Sequence, residues 1–257
     1  CASPRRESLA QTRIGILTPS SNTVVEPYTQ ALLQPLFPRV TAHFARLRVT
    51  TISLGADSRA QFDVAPMVAA ADLLADAKVH ALVWNGTSGA WLGRDQDRRI
   101  TAALTAATGV PATTAILGLD ALLARLSVTR LGLVTPYVGE VQDRIAAEYA
   151  ARGVEVVAER HLETSDNFAF AEVSEDRIAA LCREVAADPA RPEAVAVVCT
   201  NMRGPLVVPA LERELGVPVL DSVAFTLWAT LALADVDMTP LARFGRVFAV
   251  EGAALAA

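Results

Sequence analysis

Short apolar runs and longer amphipathic stretches alternate along the whole chain. "RIGILTP" (13–19), "VHALVWN" (79–85), "RLGLVTP" (130–136) and "EAVAVVC" (193–199) are apolar at most positions, without an in-and-out alternation. Runs of this kind predict strands of a parallel sheet covered by helices on both faces. Stretches that suit amphipathic helices follow them: "NTVVEPYTQALLQPL", "RDQDRRITAALTAAT", "VGEVQDRIAAEYAARG" and "PLVVPALERELG". The predicted class is therefore α/β. Within it, the charge run "RDQDRR" (94–99) reads as a solvated helix face, and Cys182 in "RIAALCREVA" as helix packing.

The pattern repeats once. "RIGILTP" returns as "RLGLVTP" after 117 residues, "VWNGTSG" around Gly86 as "VVCTNMRG" around Cys199 after 113, and "TGVPATT" as "LGVPVLD" after 107. Three echoes in one order at nearly equal offsets predict two similar parallel-sheet lobes related by a pseudo-two-fold axis. The first is expected to hold 13–116 plus 220–257 and the second 117–219. Ligands of parallel sheets bind outside the carboxyl ends of the strands. Two facing lobes would then wall a cleft with residues 18–22, 86–89, 135–137 and 199–201. The plainer alternative is that Thr-Pro and Gly-Thr turns merely end strands.

Composition narrows the partners. A chain of 257 residues has room for two small lobes and a sizeable core. Its 52% hydrophobic and 20% charged content is that of a soluble globular protein, and the net charge of −5 argues against nucleic-acid binding. No apolar run nears the ~20 residues of a membrane span. The three cysteines, Cys1, Cys182 and Cys199, are scattered and odd in number, so no disulfide framework is expected and a reducing cytoplasm fits. Residues 1–12 are expected to form a loose arm whose start at Cys1 is processed or trimmed. Homo-oligomerisation is a generic expectation for an enzyme of this size.

The candidate chemistry lies at the strand ends. "TPSSNT" leads into a helix, with Ser20, Ser21 and Asn22 as N-cap types and free first-turn amides that attract an anion. "GTSG" (86–89) sets two hydroxyls between glycines before another helix. Neither is a recognised phosphate loop, so a carboxylate suits them better than a nucleotide. His43, His80 and His161 lack metal-ligand spacing and read as surface or loop residues, so no metal site is expected. Cys199, ending an apolar run before Thr200 and Asn201, is either a small buried hydrophobe or a reagent.

As an ordered set, "TPSSNT", "NGTSG", "TPY", "DN" (166–167) and "CTN" resemble the aspartate/glutamate racemase superfamily, nearest to maleate cis–trans isomerases and arylmalonate decarboxylases. The likeness runs from Arg13 to the end of the chain. It implies a two-lobed α/β enzyme that uses neither metal nor organic cofactor and acts on a small carboxylate. Relatives typically place one cysteine from each lobe on opposite sides of the substrate carbon. The second-lobe cysteine matches Cys199, whereas the first-lobe position is Gly86.

That departure divides the reactions. Two-base racemisation needs both thiols, and the isomerase likeness implies a first-lobe nucleophile. The decarboxylase likeness instead implies glycine at position 86, Cys199 as the lone proton donor, and oxyanion donors matching Thr87, Ser88 and Tyr137. Asn22, Tyr137 and Asn167 match the carboxylate-holding positions of maleate isomerases, and Thr200–Asn201 follow the same pattern, with Pro19 and Ser21 beside them. Decarboxylation of a malonate-like acid through an enediolate is the leading reading, and cis–trans isomerisation or racemisation the alternative. A carboxylate-binding protein without turnover is the reading from another class.

Overall fold

The protein, seen here as a computed structural model, is described over residues 11–55 and 60–252. Most of the expected N-terminal arm lies outside those residues. Thr12 does not belong to an arm, because it opens the first strand and its amide bonds to the Arg39 carbonyl at 2.8 Å.

Eight strands form two parallel sheets. The first holds β1 (Thr12–Pro19), β2 (Val40–Leu47), β3 (Ala81–Trp84) and β4 (Ala112–Thr114) in the order β2-β1-β3-β4. The second holds β5 (Arg130–Val134), β6 (Glu155–Arg160), β7 (Ala194–Val197) and β8 (Val219–Asp221) in the order β6-β5-β7-β8. The second order is the first with four added to each strand, which is the pseudo-two-fold relation the echoes predict. Strands β3 and β7 lie inside their sheets and are buried at every position, which explains their unbroken apolar runs. The edge strands β2 and β6 are partly exposed and correspondingly more polar.

Two of the three echoes have a packing reason. Gly15 and Gly132 hold the third position of the two "R-x-G-x" strands. A Cβ at Gly15 would come within 2.7 Å of Leu82 and 3.3 Å of Leu74, and one at Gly132 would press into Val185. In both lobes the glycine lets a helix lie close on the sheet. Gly109 and Gly216 close the helices Arg94–Thr108 and Val208–Leu215 in the left-handed region, at φ 71° and 76°. Their amides bond back to Thr105 and Glu212 at 2.9 and 3.1 Å, a helix stop that suits glycine. Pro111 and Pro218 then lead into β4 and β8.

The helices after the last strand of each sheet, Ala115–Arg125 and Ser222–Leu233, pack on each other. Ser222–Leu233 is buried from Ser222 to Ala232, so it has no solvent face, and its apolar character all round follows. No helix among the described residues is long and apolar enough to cross a membrane.

Candidate active site

Both sheets turn their carboxyl ends toward one buried polar cluster. Beyond β1, the Asn22 amide bonds to the Pro19 carbonyl at 3.0 Å. The Asn22 Oδ1 accepts the Val24 and Val25 amides at 2.8 Å each, just where the helix Val25–Leu33 begins. The Thr23 amide donates to Asn201 Oδ1 at 3.0 Å, across the lobes. The Thr23, Val24 and Val25 amides are therefore not free to hold an anion, because Asn201 and Asn22 already satisfy them. What Asn22 has left to offer is its Nδ2, now 3.4 Å from Thr200 Oγ1.

The remaining carboxylate-type residues join the same chain of bonds. Asn201 Nδ2 donates to the Asn167 carbonyl at 2.5 Å, Asn167 Nδ2 to Ser21 Oγ at 2.7 Å, and Ser21 Oγ to the Val49 carbonyl at 2.7 Å. Asn167 is anchored by a short antiparallel crossing between the lobes. There Ile52 N–H bonds to Ser165 O at 2.9 Å and Asn167 N–H to Thr50 O at 3.0 Å. That crossing joins segments far apart in sequence, and no motif announces it.

Cys199 stands two residues past β7, in the loop rather than in the strand. Its Sγ accepts the Asn201 amide at 3.4 Å and interacts with the Tyr137 hydroxyl. Tyr137, two residues past the Thr135 that follows β5, shares a 2.7 Å hydrogen bond with Thr87 of the other lobe. Burial pushes the Cys199 thiol up to about 12, against the lowering by the Asn201 and Tyr137 donors. At neutral pH the group is an un-ionised thiol. Tyr137 is raised well above its usual range, first by burial and then by the neighbouring thiol, and stays a neutral donor.

The first-lobe counterpart holds no reagent at position 86. Thr200 Oγ1 donates to the Asn85 carbonyl at 3.2 Å, so the loops that carry Cys199 and Gly86 touch directly. Ser88 is fully buried, and its Oγ accepts the Trp84 indole N–H at 3.3 Å. In the sequence Trp84 is legible only as a strand residue, and its contact with the loop needs the fold.

A second correction concerns "RDQDRR". Asp97 within it is not on a solvated face but has no exposure at all. Its Oδ2 accepts the Thr114 hydroxyl, and its Oδ1 has no partner. A signal is present: Ile100 and Leu104, three and seven residues on, are the buried positions of the same helix. The carboxyl lies against Gly89, where a Cβ would sit 2.5 Å from Oδ1, so it supports the Gly86–Gly89 loop from behind. The second lobe has a parallel in Asp221. That residue caps Ser222–Leu233 through the Val223 and Ala224 amides, and its Oδ2 lies against Gly204.

Burial pushes both carboxyls up to about 7. An unfolded aspartate titrates near ~4. Between about pH 4 and 7 the folded chain keeps protons that the unfolded chain has released. The stability contributed by protonated Asp97 is complete below about pH 4 and is lost as pH rises through about 7. Asp97→Asn, neutral at every pH, is expected to reduce the fall of Tm between about pH 5 and 8, while Asp221, Glu212 and His161, all raised, contribute to what remains. An unchanged Tm–pH slope in the variant would count against a buried, protonated Asp97.

Hydrogen bonds thus link Pro19, Ser21, Asn22, Thr87, Tyr137, Asn167, Cys199, Thr200 and Asn201 into one network, with Gly86 and Ser88 flanking Thr87 in its loop. Among the described residues no three His, Cys, Asp or Glu side chains are grouped to hold a metal ion. The two-lobed α/β frame thus closes on one buried cysteine among hydroxyl and amide groups. The arylmalonate decarboxylase family model matches residues 14–248, and the chain belongs to that family. Family members are lyases or isomerases.

The chain is 31% identical to the arylmalonate decarboxylase of Bordetella bronchiseptica over 151 residues, 58% of this chain and 62% of that protein. It is 27% identical to the maleate isomerase of Nocardia farcinica over 240 residues, 88% of this chain and 91% of that protein. The fold superposes on a cysteine-to-serine variant of the Nocardia farcinica maleate cis–trans isomerase, which carries a covalently bound succinylcysteine intermediate. That TM-score is 0.83 at 24% identity, over 92% of this chain and 98% of that one.

Proposed function

We propose that the protein is a cofactor-independent decarboxylase of a small malonate-like acid, with Cys199 as proton donor. The observation that carries this reading is a first lobe with glycine at position 86 across from the site's single buried cysteine, Cys199, whose thiol burial pushes up to about 12. One substrate carboxylate is held by Ser21, Asn22, Asn167 and the Thr200–Asn201 pair, which exchange their present mutual bonds for bonds to the acid. The C–C bond to the other carboxylate breaks, CO₂ leaves, and the electron pair forms an enediolate.

Thr87, Ser88 and Tyr137 face the developing oxyanion charge. Such preorganised donors are usually the largest catalytic term. The thiol proton then passes to the substrate carbon on one face, leaving a thiolate that water reprotonates. A thiol held un-ionised suits this step and is poorly suited to nucleophilic addition, which needs thiolate.

A second reading is favoured by the amide-rich binding set. Asn22, Asn167 and Asn201 suit a dicarboxylate such as maleate, and the Nocardia farcinica relative forms its intermediate on cysteine. In that reading Cys199 would add to the double bond.

Proton NMR in D₂O with methylphenylmalonate and with maleate separates the two. Decarboxylation predicts 2-phenylpropionate carrying a single deuterium at Cα, with maleate returned unchanged. Conversion of maleate to fumarate, without loss of CO₂ from the malonate, would overturn the proposal in favour of isomerisation.

A further inference from the structure

We infer that Trp84 is the specificity-determining residue that restricts this site to one thiol. The inference deepens the single-thiol reading above and rests on it. A Cβ built on Gly86 points straight into the Trp84 side chain, 2.5 Å from Cε2 and 3.0 Å from Nε1, with Cζ2 closer still. Real Cβ atoms do not approach other atoms so closely, so a side chain at position 86 requires the indole to move.

The indole has nowhere to go. Trp84 has no exposure, its edge packs on Phe62 with ring centroids 6.5 Å apart, and its N–H is committed to Ser88 Oγ. It belongs to a row of edge-to-face rings that continues through Phe62 and Trp91 to Tyr137, with centroid separations of 6.0 and 5.2 Å. Tyr137 interacts with Cys199 through its hydroxyl. The same residue therefore excludes a first-lobe thiol, orients Ser88, and abuts the ring system that holds the second-lobe thiol in place.

Glycine at position 86 is thus not a simple deletion that one substitution restores. The two positions are coupled: a reactive side chain at 86 and a full indole at 84 exclude each other. The wall beside the substrate carbon is aromatic where a two-thiol enzyme would have sulfur.

The test is a double-mutant cycle on the intact protein, read by thermal unfolding, by counting alkylated thiols, and by racemisation of (R)-2-phenylpropionate. Gly86→Ala and Gly86→Cys in the native background are each expected to lower Tm by roughly 5–10 °C, the scale of an overpacked core site. With Trp84→Leu the same substitutions are expected to leave Tm unchanged or raise it. Gly86→Cys/Trp84→Leu is further expected to expose one additional alkylatable thiol and to racemise the acid, whereas Gly86→Cys alone does neither.

Trp84→Phe, which drops the part of the indole nearest position 86, serves as the second background should the leucine variant not fold. A Gly86→Cys protein as stable as wild type, with its new thiol reactive and Trp84 intact, overturns the inference. The Tm and thiol readouts need no turnover, so they stand even if the acid proves not to be a ligand. The deuterium experiment on wild type alone decides the decarboxylase reading.

Discussion

Cys199→Ala is expected to lower kcat for decarboxylation by about 10²–10⁴-fold, the usual worth of a positioned general acid. The variant should remain folded. The side chain is small, and replacing it removes one sulfur from a site whose backbone stays held by other bonds, including Asn201 Nδ2 to Asn167 and Thr200 to Asn85. The chemistry should suffer because the proposed mechanism draws its proton for the enediolate from this thiol. Tyr137, held neutral well above its usual range, is a poor substitute.

Cys199→Ser is the sharper comparison. It keeps the size but replaces the thiol with a far weaker acid, so activity should also collapse, with substrate binding retained in both variants. Turnover of Cys199→Ala comparable to wild type, measured by CO₂ release, would remove Cys199 from the mechanism altogether.

The second large effect is at Tyr137. Tyr137→Phe is expected to reduce kcat by about 10²–10³-fold, the scale seen when one oxyanion donor is removed. Two losses combine there. In the proposed mechanism the phenol donates to the developing charge, and at rest it is hydrogen-bonded to both Thr87 and the Cys199 thiol, so it also helps position that thiol. Stability should change little, since the ring keeps its edge-to-face contacts with Trp91 and Phe170 at 5.2 and 5.5 Å. Thr87→Val should share much of the same loss, so the double variant should fall well short of the product of the two single effects. Full multiplicativity in kcat would show instead that Thr87 and Tyr137 act on separate parts of the reaction.

The cluster around these residues is partly legible in the sequence. Thr87, Ser88, Cys199 and Asn201 are polar groups placed just past apolar runs, and a parallel sheet delivers such positions to one edge. The repeat brings the two edges into one account. Asn167 is reached by resemblance alone, since it sits in no strand-end loop of the repeat. Its place depends on the crossing of Thr50–Ile52 with residues 165–167. Asp97 reads wrongly in the sequence because its neighbours Asp95 and Arg98 are exposed, and a local charge run conceals one member turned inward.

The α/β class, the twofold repeat and the chemical character of the strand-end loops follow from the order of residues alone. They depend on periodicities and turn residues that act over a few positions. The un-ionised state of the Cys199 thiol, the burial of the Asp97 acid and the filling of the space beside Gly86 by Trp84 follow only from how the chain packs. Each of those is a matter of desolvation or exclusion. Both are set by atoms arriving from distant parts of the chain, so no residue carries them in its own identity.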